Sequence, residues 1–130
     1  MKRFALVCAL MFVPIAYAQS NASPSVSSRV SPDSRFEIVQ SALVAKQTFK
    51  LDKFLGNVYL LVKTPDGSDV WEPMLKESNP ADRSTTGKSE YQIFTSGIAA
   101  RFTFLMNVNS GITWQLVSSK DGTLLWEKMP

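Results

Sequence analysis

Histidine is absent from all 130 residues, and the single cysteine, Cys8, sits close to the N-terminus. Ser-His-Asp and Cys-His nucleophilic chemistry therefore lacks its base, and zinc sites lose their commonest ligand. One cysteine cannot form an intrachain disulfide. No stretch beyond the N-terminus has the length and 3.6-residue period of a helix, which excludes helix bundles and α/β folds. Charge of one sign is also scarce. Lysine and arginine number 14 against 11 acidic residues, and two of the cations are Lys2 and Arg3.

Those two cations open a segment with the three parts of a secretory leader. Met1-Lys2-Arg3 is a positive start, Phe4 to Ile15 is a short apolar run, and Ala16-Tyr17-Ala18 is a small-x-small site. Cleavage is expected between Ala18 and Gln19, giving an exported, periplasmic or secreted protein. Residues 1–18 are then a signal peptide outside the fold, and no stable membrane span remains. Removing them takes away Cys8 and leaves 12 cations against 11 anions. A chain so nearly neutral carries no electrostatic case for nucleic acid. Residues 19–34 are rich in Ser, Asn and Pro and read as a disordered linker.

What is present is a repeat. Residues 36–74 align with 91–129 at a constant offset of 55, with 13 identities in 39 positions and no gap. The identities include Ile38/Ile93, Ser41/Ser96, Thr48/Thr103, Phe49/Phe104, Gly56/Gly111, Asp66-Gly67/Asp121-Gly122 and Trp71-Glu72/Trp126-Glu127. An internal repeat governs any fold assignment. Each copy is too short to be stable alone, so the two should share one core within a single domain over 35–130, joined by a polar linker at 75–90. Within each copy, short runs of β-branched and aromatic residues are separated by turn signals. The expectation is an all-β fold: two four-stranded antiparallel meanders, related by a pseudo-twofold and packed as a small sandwich or barrel.

The turns carry their own chemistry. Asp52 and Asn107 each open a short loop that Gly56 or Gly111 closes, and Asp66-Gly67 and Asp121-Gly122 make the next turn. An acceptor at the loop start can take backbone N–H groups two residues on, and glycine can take the positive φ that ends it. Placing Phe104 and Met106 on the same face as Trp114 and Leu116 requires a five-residue loop, 108–112. A four-residue loop puts Trp114 on the other face.

These segments resemble a pattern found in many small exported bacterial β proteins of unassigned activity, roughly F-x-L-D-T-x-T-G-x-x-W-x-L followed by a D-G turn and W-x-P. The first copy matches through Phe49, Leu51, Asp52, Gly56, Leu61, Asp66-Gly67 and Trp71-Glu72-Pro73, with Tyr59 in place of tryptophan. The second matches through Phe104, Gly111, Trp114, Leu116, Asp121-Gly122 and Trp126, with Asn107 for Asp and Lys128 for Pro. The resemblance implies a small β module and brings no catalytic residues with it.

Catalytic motifs fail on inspection. Gly87-Lys88-Ser89 looks like the end of a P-loop, but Asp82 stands where its first glycine belongs. Asp66 and Asp121 flank turn glycines, and Glu72 and Glu127 sit at strand ends, so none reads as a paired acid and base. No catalytic residue, metal or cofactor is expected. Four aromatics, Tyr59, Trp71, Trp114 and Trp126, lie at related places in the two copies. Buried, they form the core. Exposed, they form a surface for a partner. The function expected is non-catalytic binding of another protein, with an inhibitor or immunity-type envelope protein as one concrete form. The alternative is a carbohydrate- or peptidoglycan-binding module that uses exposed aromatics.

Overall fold

The first three strands of each repeat end where a side chain takes over the backbone's hydrogen bonds. At the end of the second strand of each repeat, Asp52 Oδ1 accepts from the amides of Phe54 (3.0 Å) and Leu55 (3.3 Å), and Asn107 Oδ1 accepts from those of Asn109 and Ser110 (both 3.0 Å). The loops close as the amides of Gly56 and Gly111 donate to the carbonyls of Asp52 and Asn107, at φ of 68° and 75°. The hydroxyls of Ser41 and Ser96 cap the preceding loops in the same paired way. At the next turn Asp66 and Asp121 accept from Ser68 N (3.3 Å) and Thr123 N (3.1 Å), and from the hydroxyls of Thr64 and Ser119. The hydrogen bonds from those hydroxyls, helped by the backbone amides, hold both carboxyls below the usual carboxylate range. Gly67 and Gly122 complete these turns by donating to the carbonyls of Thr64 and Ser119.

A computed structural model describes residues 31–78, 82 and 86–130. The expected leader with its expected cleavage between Ala18 and Gln19, the expected linker up to residue 30 and parts of the inter-repeat stretch lie outside the described residues. Nine strands are described: β1 (Phe36–Gln40), β2 (Thr48–Asp52), β3 (Asn57–Lys63), β4 (Asp69–Pro73), β5 (Leu75–Lys76), β6 (Tyr91–Thr95), β7 (Thr103–Asn107), β8 (Thr113–Ser118) and β9 (Leu124–Lys128). The first repeat is an antiparallel meander, β1-β2-β3-β4. The second is the meander β6-β7-β8-β9, with β5 added in parallel beside β9. The two sheets pack as a small sandwich, as the repeat implied. Strand β5 was not anticipated: it belongs to the stretch read as polar linker, and two residues are too few to carry a period.

The register decides between the two loop lengths. Leu105 pairs with Trp114 and Met106 with Thr113, while the amide of Asn107 donates to the carbonyl of Ile112. The loop has four residues, 108–111, just as 53–56 separate the paired Asp52 and Asn57. The Asn107 cap satisfies this tighter loop, so Trp114 shares a face with Leu105 rather than with Phe104 and Met106.

Strand pairing sorts each sheet into two faces. On what we call the front, sheet one carries the row Ile38–Lys50–Tyr59–Pro73, and sheet two the equivalent row Ile93–Leu105–Trp114–Lys128. On the back, sheet one carries Val39–Phe49–Leu60–Glu72 and sheet two Phe94–Phe104–Gln115–Glu127. The core joins unlike faces. Phe49, Leu51 and Val58 enter it from the back of sheet one, and Tyr91, Ile93, Leu105, Trp114, Leu116 and Trp126 from the front of sheet two. A twofold buries the same patch on both partners. Here the two halves stack in the same sense, front of the second on back of the first.

Candidate functional site

Stacking in one sense leaves two faces over. The front of sheet one is the first. It holds Phe36 and Ile38 on β1, Lys50 on β2, Tyr59 and Leu61 on β3 and Trp71 on β4. Phe36 and Ile38 are each 49% exposed, and Tyr59, Leu61 and Trp71 are half-buried. At the equivalent positions of the second repeat, Tyr91, Ile93, Trp114, Leu116 and Trp126 are core.

The four aromatics singled out from sequence therefore divide in two. Trp114 and Trp126 are fully buried and cannot form a partner surface. The indole N–H of Trp114 donates to the carbonyl of Glu77, and Trp126 packs against Phe49 with ring centroids 5.8 Å apart. Tyr59 and Trp71 stand on the open face. Lys50 completes it, its ammonium lying 4.7 Å from the Tyr59 ring centroid and 5.2 Å from that of Trp71. These are cation–π distances, and they draw both rings and the lysine into one cluster.

One end of this face is fixed by Asp52. Its carboxylate is buried and takes two N–H groups of Arg35, from Nε at 3.2 Å and Nη2 at 2.9 Å, while its other oxygen caps the following loop. Asn107 performs the capping alone in the second repeat. Two substitutions separate these roles. Asp52→Asn keeps a cap and loses a half-exposed ion pair, at a cost of about 1 kcal/mol or less. Asp52→Ala leaves the loop amides and the guanidinium unpaired, at about 1–3 kcal/mol. Urea denaturation of both variants checks the order.

The back of sheet two is the second open face. Phe94 is 59% exposed, and Phe102 and Met106 are also exposed. Phe94 and Phe104 stack across strands at 6.3 Å, and Phe102 and Phe104 stack at 6.4 Å. The sequence signal for this face was present: Phe102, Phe104 and Met106 alternate with Thr103, Leu105 and Asn107. Both alternating sets are partly apolar, so the pattern did not say which one turns inward.

Between the sheets, near Gln47, Leu60, Val62, Met74 and Leu124, a groove of about 940 Å³ opens at one end of the sandwich. The side-chain oxygen of Gln47 has no hydrogen-bond partner among the described residues. Among the described residues no three His, Cys, Asp or Glu side chains converge as metal ligands would, and no helix is long and apolar enough to cross a membrane. The turn residues Asp52, Gly56, Asp66, Gly67, Asn107, Gly111, Asp121 and Gly122 all serve backbone geometry. Compared with known proteins, the chain matches no family model, no curated protein and no solved structure.

Proposed function

We propose that this chain is an exported bacterial protein, periplasmic or secreted, that binds another protein through the open front of its first repeat and performs no catalysis. One observation carries the reading. The positions that form the core of the second repeat have no sheet packed over them in the first among the described residues, where Phe36 and Ile38 are half-exposed and Tyr59, Leu61 and Trp71 only partly buried. Soluble monomers rarely leave contiguous apolar surface of this kind without a partner. An inhibitor or immunity-type role in the envelope is a concrete form of this function, because such proteins act by occupying a partner's surface and need no reaction chemistry.

The glycan-binding alternative draws on Tyr59 and Trp71 sharing one face. The ammonium of Lys50 over both rings competes with a sugar for that position. The test is capture from an envelope extract with the chain beginning at Gln19. Ile38→Glu, at the centre of the face, is expected to lose the captured protein, while Leu55→Glu, on an exposed loop, retains it. Binding to peptidoglycan that Trp71→Ala abolishes and Ile38→Glu spares would select the alternative.

A further inference from the structure

We infer that the open front of the first repeat receives the open back of the second repeat of another copy of this chain, so that molecules add head to tail. The inference rests on the protein-binding reading above and names the partner. Inside each molecule the front of one sheet lies on the back of the other, and this contact is made once. The two faces left over are the repeat-equivalents of the two that meet. A second molecule offering its back to the free front would repeat the internal contact with the same kinds of residue.

A matched pair of positions makes the fit specific. Gly56 lies flat beneath the Tyr91 ring, where an added Cβ would fall 2.5 Å from Cε1. Its equivalent Gly111 also has positive φ, yet nothing lies within 4 Å of its Cβ position. The equivalent of Tyr91 is Phe36, which is half exposed. Gly111 and Phe36 are thus the two halves of a contact closed inside the chain and left open at its two ends.

The two surfaces depart from the internal contact at Lys50, where the buried front has Leu105, and at Gln115, where the buried back has Leu60. The internal interface already contains a cation in this setting. The Lys76 ammonium lies 5.0 Å from the Tyr91 ring centroid and 4.9 Å from that of Trp114, and donates to the carbonyl of Gly56 at 3.0 Å. Burial lowers its pKa, with Asp82 opposing. A lysine over the rings of this face is therefore compatible with a sheet packed on top. Lys50 in the front row and Glu127 in the back row also supply opposite charges to the two surfaces.

Unlike faces joining in this way make a heterologous contact, which does not close on itself as a twofold dimer does. Sedimentation velocity on the chain beginning at Gln19 is the test. The weight-average mass should rise with concentration past that of a dimer. Ile38→Glu, which spoils the front, and Phe94→Glu, which spoils the back, should each remain monomeric with native near-ultraviolet circular dichroism. Phe36→Glu and Met106→Glu serve if either fails to fold. Mixing a front variant with a back variant should give a dimer and nothing larger, because each keeps one good face. A wild-type chain monomeric at every concentration overturns the inference, as does a back variant that still dimerises alone. If the wild-type chain is monomeric but Ile38→Glu still loses a captured envelope protein, head-to-tail stacking fails and the protein-binding reading stands. If that capture is also unaffected, both fail.

Discussion

Trp126→Ala is expected to destabilise the fold by about 3–5 kcal/mol, the usual loss for emptying a large aromatic site in a core, while Trp71→Ala, at the same place in the other repeat, costs about 1 kcal/mol or less. Both residues are tryptophans followed by glutamate. Their faces differ. Trp126 is fully buried against Phe49, whereas Trp71 lies half-buried on the open front beside Lys50. The indole N–H of Trp126 has no hydrogen-bond partner among the described residues, so its loss removes packing and leaves no partner stranded. Chemical denaturation of both variants measures the difference. Equal losses would mean that both repeats bury the same face.

The second large effect concerns a glycine pair. Alanine at Gly56 or Gly111 meets the same backbone penalty, because both positions have positive φ, a conformation that costs an L-residue about 1–2 kcal/mol. At Gly111 nothing else is added. At Gly56 the new methyl enters the Tyr91 ring, which is itself held by a hydrogen bond from its hydroxyl to the carbonyl of Asp82 at 2.9 Å. Overpacking of this kind costs a further ~1–3 kcal/mol. Gly56→Ala should therefore exceed Gly111→Ala by that increment, read from the two denaturation midpoints. Equal midpoints would place the Tyr91 ring elsewhere and with it the seam between the repeats.

Much of this architecture was legible because its determinants act locally. Asp52, Asn107, Asp66 and Asp121 bond amides two or three residues away, and glycine ends each turn, so the four strands of each meander, their order and the turn positions could be read directly, whereas β5 could not. The sense of stacking could not, for a physical reason. Both faces of these strands are apolar, with Phe104, Leu105 and Met106 consecutive in β7 and Leu60, Leu61 and Val62 consecutive in β3. Alternation marks a buried face only where the other face is polar. Two halves that repeat in register then suggested a symmetric meeting of equivalent faces. The signal that distinguishes the copies lies in their mismatches. Lys50 against Leu105 makes the first front the more polar, and Gln115 against Leu60 makes the second back the more polar. Each of these substitutions falls on a face that the fold leaves open. The division of the four aromatics follows from the same fact, since Tyr59 and Trp71 lie on the first front and Trp114 and Trp126 on the second.

Single cysteines report that arrangement most directly, because Cys8 is the only thiol to remove. Two equivalent pairs suffice: Ile38→Cys with Ile93→Cys on the fronts, and Leu51→Cys with Met106→Cys on the backs. Ile38 is 49% exposed and Ile93 6%, while Leu51 is 0% and Met106 38%. In dilute native protein, a thiol reagent should modify the cysteines at 38 and 106 readily and reach those at 51 and 93 only on unfolding. Matching rates within each pair would contradict front-on-back stacking.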